Sequence, residues 1–244
     1  MNPDDVTESA AARAAQAEHR KVWDLPVRIF HWILAAAFIG AYVTHKLGVG
    51  YFKYHVWCGY TVIVLVSFRI LWGIVGTRHA RFWNFVRGPR STALYLLAWL
   101  RGREPSYPGH NPLGAFMVIA LLLALFTQAL TGLFGNDEIF NVGPLYGYVT
   151  NETSLQLTSL HRELFAWICA AVVVHMLAVL AHRITKGENL VLAMLTGRKP
   201  AHTIPTEEAI HSSRTWLAAL LVIALSAALA WIVSHAPSAD AALF

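Results

Sequence analysis

Five long apolar runs organise the chain, at about residues 29–47, 55–75, 113–134, 160–182 and 216–234. Each lies near the roughly 20 residues a helix needs to cross the hydrocarbon core of a bilayer. Polar residues collect between the runs and do not alternate within them. That pattern fits neither a half-buried strand nor the one-sided stripe of a water-soluble helix. It predicts an all-α membrane protein with five transmembrane helices. The first span has room to begin earlier, at Pro26, and Pro112 suits the first turn of the third. Residues 91–101 gather apolar side chains with Tyr95 and Trp99 on one helical face. They read as an amphipathic helix at the membrane interface or, equally, as a cap over the bundle.

Composition supports lipid as the solvent. Of 244 residues, 56% are apolar and 14% charged, where a soluble domain carries about 25% charged. A net charge of +5 and a pI near 9.4 would suit nucleic acid if they formed a basic face. They do not. Fifteen of the 19 Lys and Arg sit in the N-terminal tail (Arg13, Arg20, Lys21, Arg28), in the loop after the second run, and in the loop after the fourth. That bias predicts a cytoplasmic N-terminus and an outer C-terminus, with lipid and not nucleic acid as the partner. Residues 1–20 are polar and Ala-rich, and the first apolar run is too long and too internal for a signal peptide, so it reads as a span that stays. Cys58 and Cys169 lie inside apolar runs without a CxxCH, which argues against covalent haem and thiolate zinc and for packing roles.

Ligating residues inside spans are costly and mark function. Those here are His31 in the first span, His55 in the second, and His161 and His175 in the fourth. Alternating direction puts His31 near the cytoplasmic face and His55 and His161 near the outer face. His175 follows His161 by 14 residues, about 21 Å deeper, and 14 steps of 100° return to nearly the same helical face. Two level pairs result: His55 with His161 outside, and His31 with His175 inside. Each pair can supply two axial imidazoles to one haem. Two imidazoles saturate the iron and favour electron transfer over oxygen chemistry. His45, at the outer end of the first span, is the rival that would replace His55 or His161. His182 reads as an interface residue, and His19, His79, His202, His211 and His235 as solvated. Gly59, one turn after His55, leaves room for a flat macrocycle or for a helix contact. Arg69 suits a haem propionate or, equally, lipid phosphate.

Several segments resemble the bacterial cytochrome b561 and nickel–iron hydrogenase cytochrome b family. They are Val22-Trp23-Asp24-Leu25-Pro26-Val27-Arg28-Ile29-Phe30-His31-Trp32; His55-x3-Gly59 with Arg69-x2-Trp72-Gly73-x2-Gly76; Tyr107-Pro108-Gly109-His110-Asn111-Pro112; and His161-x13-His175. The resemblance covers about residues 22–200, flanked by a tail (1–21) and by a connecting loop, the fifth span and a short outer tail (201–244). It implies a four-helix transmembrane haem-binding bundle in the bacterial inner membrane, extended here by a fifth, C-terminal transmembrane helix, with two haem b groups linking quinone to a redox partner and with helix one paired to four and two to four, as in related formate dehydrogenase membrane subunits. It also implies a quinone near the cytoplasmic haem, at His110 and Asn111, although Asn111 before Pro112 reads equally as a helix cap. The expected role is electron transfer between quinone and a periplasmic cytochrome c or hydrogenase-type protein, as a subunit more than a stand-alone enzyme, with a homo-oligomer left open. The alternative is a superoxide:quinone oxidoreductase of the same family, for which Lys46, Lys53 and Arg162 would form a sparse cationic funnel.

Overall fold

The computed structural model describes residues 19–105 and 107–238, apart from the side chain of His202. Most of the expected N-terminal tail, with Arg13, and the end of the outer tail lie outside the described residues. Among the described residues, five helices are long and apolar enough to cross a membrane, so the all-α membrane architecture is borne out. These are α1 (Leu25–Lys46), α2 (Phe52–Val75), α5 (Pro112–Leu133), α6 (Asn151–Lys186) and α8 (Thr215–Ser234). Short helices α3 (Phe82–Phe85), α4 (Pro89–Leu100) and α7 (Leu190–Thr196) join them. Two three-residue strands, β1 (His19–Lys21) and β2 (Arg198–Pro200), pair antiparallel with Arg20 opposite Lys199.

Helix ends are set by local chemistry. Asp24 caps α1 by accepting from the Val27 amide at 2.7 Å, so the helix starts earlier than its apolar run. α6 outruns its apolar stretch at both ends; Thr150 caps it, accepting from Thr153 N at 3.2 Å. α7 is capped by Asn189, which accepts from Leu192 N, and stops at Gly197 in the left-handed region (φ 79°). A side chain at 197 would also press on the Trp23 carbonyl, so glycine is needed twice over.

The chain forms two compact units. One comprises residues 29–71, 117–177 and 216–244 and holds most of the span residues. Within it α1 and α2 approach closely at Gly40, where a Cβ would come 3.0 Å from Cys58 Sγ. Phe165 of α6 stacks on Tyr42 and packs on Phe38 of α1. Large apolar side chains such as Ile39, Leu123, Trp167 and Ile223 face outward. That is the surface expected of a lipid-facing bundle and the inverse of a soluble one.

The other unit comprises, of the described residues, those within 19–28, 72–116 and 178–215. Its centre is the buried Asp24, which accepts from Trp72 Nε1 at 3.1 Å and from the Thr77 hydroxyl. Arg28 donates to the carbonyls of Met194 and Leu195 at the end of α7. On α4, Leu94, Leu97 and Leu100 are exposed while Tyr95 is buried. An exposed apolar row of this kind fits the interfacial reading of the segment.

Candidate functional site

Four span histidines come together in two pairs, both within the unit that holds most of the span residues. His31 of α1 faces His175 of α6 with ring centres 6.5 Å apart and planes at 50°. His55 of α2 faces His161 of α6 at 6.2 Å and 76°. Neither pair is in hydrogen-bond contact across the gap, and each spacing suits one atom between the rings. Two imidazoles bound through Nε2 at about 2 Å to one metal, each ring centre about 1.1 Å behind its nitrogen, stand roughly 6.3 Å apart.

Supporting groups fix the rings. His55 Nδ1 meets the Ala41 carbonyl at 2.8 Å, and His161 Nδ1 meets the Gln128 carbonyl at 2.8 Å. A carbonyl only accepts, so Nδ1 carries the proton in both rings and Nε2 is left as the ligating atom. The Nδ1 of His31 is buried without a hydrogen-bond partner, as is the Oε1 of Gln128. Buried polar atoms of this kind are uncommon, and they cost least where a bound group shares the site.

A cavity of about 460 Å³ opens beside the second pair, within the size range of small-molecule and cofactor sites. Its lining includes His45, His55, Gly59, Gly132, His161 and Arg162. At Gly132 an added Cβ would fall 2.8 Å from His161 Cε1, whereas at Gly59 it would meet nothing within 4 Å. A cleft with two glycine walls and facing imidazoles fits a flat iron macrocycle, and the donor set suits haem. His45 belongs to the same cavity, its ring centre 6.0 Å from that of His55. Spacing alone therefore admits it. It is exposed, while His161 is half-buried and anchored through Gln128. Arg69 is buried in the same unit as the histidine pairs, where a guanidinium calls for anionic or carbonyl partners.

The remaining candidates lie in the other unit. His110 sits between Trp23 and Phe85, with ring centres at 4.8 and 4.6 Å. Asn111 caps α5, its Oδ1 accepting from Gly114 N at 2.7 Å. His182 pairs with Glu188 at 3.3 Å. His79 departs from the sequence expectation of a solvated loop residue. It is buried, with Nε2 donating to the Glu208 carbonyl at 2.7 Å, because the turn that carries it folds against residues 206–208. Burial pushes its pKa down, partly offset by Glu208.

The sequence alone did not point to Gly132 or to the Ala41 and Gln128 carbonyls. The glycine was open to the reasoning applied to Gly59. A carbonyl leaves no mark in a sequence, since every residue has one.

Apolar spans carrying facing, backbone-anchored histidines define the class of membrane b-type cytochromes. The chain belongs to the prokaryotic cytochrome b561 family, whose model matches residues 22–197. It is a multi-pass membrane protein of a haem b family. Among its relatives, a Rhizobium leguminosarum bv. viciae protein named probable Ni/Fe-hydrogenase B-type cytochrome subunit is 27% identical, over 77% of this chain and 91% of its own. A Rhodobacter capsulatus protein of the same name is 28% identical over 73% and 80%. The Escherichia coli (strain K12) probable Ni/Fe-hydrogenase 1 B-type cytochrome subunit is 25% identical over 72% and 88%. No solved structure matches the chain.

Proposed function

We propose that the chain holds two haem b groups, one between His31 and His175 and one between His55 and His161, and moves electrons between a quinone and a redox protein at the outer face. The observation that carries this is the pair of ring separations, 6.5 and 6.2 Å, at two levels of α6. Haem supplies reversible one-electron chemistry. The protein's part is to hold the four imidazoles, to fix their tautomers through carbonyls, and to keep the site in a low-dielectric span that tunes potential. Arg69 suits a haem propionate. His110, flanked by Trp23 and Phe85, offers an aromatic-walled hydrogen-bonding group for a quinone. The names of the relatives point to a nickel–iron hydrogenase as the partner, with this chain as its membrane electron acceptor.

The test is spectroscopic. Purified protein should show an α-band near the b-type position and two haems per chain. His161→Ala and His175→Ala should each remove about half of the haem, from different sites resolved by redox titration. Full haem retention in His161→Ala with loss in His45→Ala would replace His161 by its rival.

A second reading has one supporting observation: Lys46 and Arg162 line the cavity beside the outer pair, a cationic rim suited to a small anion. Reduction of the haems by superoxide at near-diffusion rates, slowed by Arg162→Ala and by salt, would establish superoxide:quinone oxidoreductase activity. Inertness to superoxide would remove it.

A further inference from the structure

The unit that contains α4 presents a surface that electron transfer does not use. Residues 78–103 hold six arginines and no acidic residue. Within that stretch α4 turns one face inward, with Tyr95 buried and Thr92 and Trp99 half-buried. On the opposite face Leu94, Leu97 and Leu100 are 49% to 67% exposed. At 100° per residue, Arg90, Leu94, Leu97 and Arg101 fall within about 60° of one another around the axis. The apolar row therefore runs between two exposed arginines, about 16 Å apart at 1.5 Å per residue. Among the described residues, the ion pairs include neither of them. Just before α4, Trp83 of α3 is also exposed, with the Arg81 guanidinium 5.6 Å from its ring centre. An amphipathic ring beside a cation suits the headgroup level of a bilayer.

We propose that α4 is a binding surface for anionic phospholipid, its leucine row entering the acyl layer and Arg90 and Arg101 each holding a headgroup phosphate. The charge pattern selects this occupant. Guanidinium groups pair with phosphate oxygens through charge-assisted, two-pronged hydrogen bonds. A phosphocholine headgroup brings its own cation, which competes with arginine for the phosphate, whereas phosphatidylglycerol brings none. A second copy of the chain fits poorly. Packing this face on itself would set arginine rows of one sign against each other, and like charges across an interface are costly. A cap over the bundle would cover the leucines, and they are exposed.

Connectivity keeps the lipid in reach. Residues 76–88 join α4 to the span α2, and residues 101–111 join it to the span α5. Tethering at both ends holds the helix near a bilayer at high effective concentration. Long Arg side chains lie along apolar surface while their heads reach outward, so one helix face serves both layers of the lipid.

The experiment reconstitutes the full chain in nanodiscs of equal parts phosphatidylcholine and phosphatidylglycerol, transfers it to mild detergent and quantifies the retained lipid by mass spectrometry. The wild type should retain phosphatidylglycerol in preference, by about fivefold for each engaged arginine. Arg90→Gln with Arg101→Gln should return the retained ratio close to the supplied one. Arg183→Gln with Arg198→Gln removes the same charge from exposed positions elsewhere in the unit and should leave the preference intact. Leu94→Ser with Leu97→Ser should lower retention of both lipids. All six side chains are exposed, so helix content by circular dichroism should match the wild type throughout. A wild type that retains the supplied ratio overturns the proposal, as does a preference that survives Arg90→Gln with Arg101→Gln. A wild-type dimer that Leu94→Ser with Leu97→Ser converts to monomer, without lipid preference, gives the face to a second copy and overturns it as well.

Discussion

Single atoms decide the cavity beside His55 and His161. Gly59 and Gly132 are both helical glycines on its wall, yet they differ sharply. A methyl at 132 would press to 2.8 Å on His161 Cε1 and 3.1 Å on Nδ1, while a methyl at 59 meets nothing within 4 Å. Gly132→Ala is therefore expected to push His161 off the Gln128 carbonyl and to lower occupancy, or shift the potential, of one haem. Gly59→Ala meets no protein atom, so it should leave His161 in place and act only through the methyl it adds to the open cleft, lowering haem content. Haem per protein by pyridine hemochrome, with redox titration of both variants, checks the contrast. Equal behaviour of the two would mean that the His161 ring has room to retreat.

Among the elements, α1 depends most on one residue. Asp24 caps the helix that carries His31 and also accepts from the Trp72 indole and the Thr77 hydroxyl. Asp24→Ala loses a cap worth about 1 kcal/mol. It also strands a buried N–H and a buried O–H, at about 1–3 kcal/mol for each group left unsatisfied. The expected result is a clearly lower melting temperature in detergent and weaker haem retention. Thr77→Val, which removes one donor together with its need, should cost much less. A melting temperature in Asp24→Ala equal to that of wild type would show that water reaches the stranded donors. α6 differs in kind: it is 36 residues long, about 54 Å at 1.5 Å per residue, and exceeds a single span. That length lets one helix offer histidines at two levels and also carry Lys186 past the apolar stretch.

For the whole molecule, the remaining prediction concerns direction. Fifteen of the 19 basic residues lie before the first apolar run or after the second and fourth, while the segment between α5 and α6 has none. The proposed orientation places the N-terminus in the cytoplasm and the C-terminus outside. Alkaline phosphatase fused after residue 238 should then be active, and fused within the loop between α4 and α5 it should be silent. The opposite pattern would invert the outer and inner assignments of both histidine pairs, though not the pairs themselves.

What the sequence by itself determined was set by local rules. Apolar run length dictates spans, because a bilayer has a thickness. The 14-residue spacing of His161 and His175 places both on one face, because a helix has a fixed pitch. From these the membrane architecture and the grouping of His31 with His175 and of His55 with His161 were legible before any coordinates. Contacts between distant segments were decided only by the tertiary structure. His79 lies in a turn that reads as solvated, and a segment more than a hundred residues later buries it. The Ala41 and Gln128 carbonyls that orient His55 and His161 are backbone atoms with no side-chain signature. His182, Glu188 and Lys199 look like scattered polar groups in the chain and come together only when packed. Asn111 had two equal readings, and packing shows its cap on Gly114. Pitch and bilayer thickness act along the chain and can be read from it. Hydrogen bonds between distant segments depend on where folding brings them, and linear spacing does not encode that.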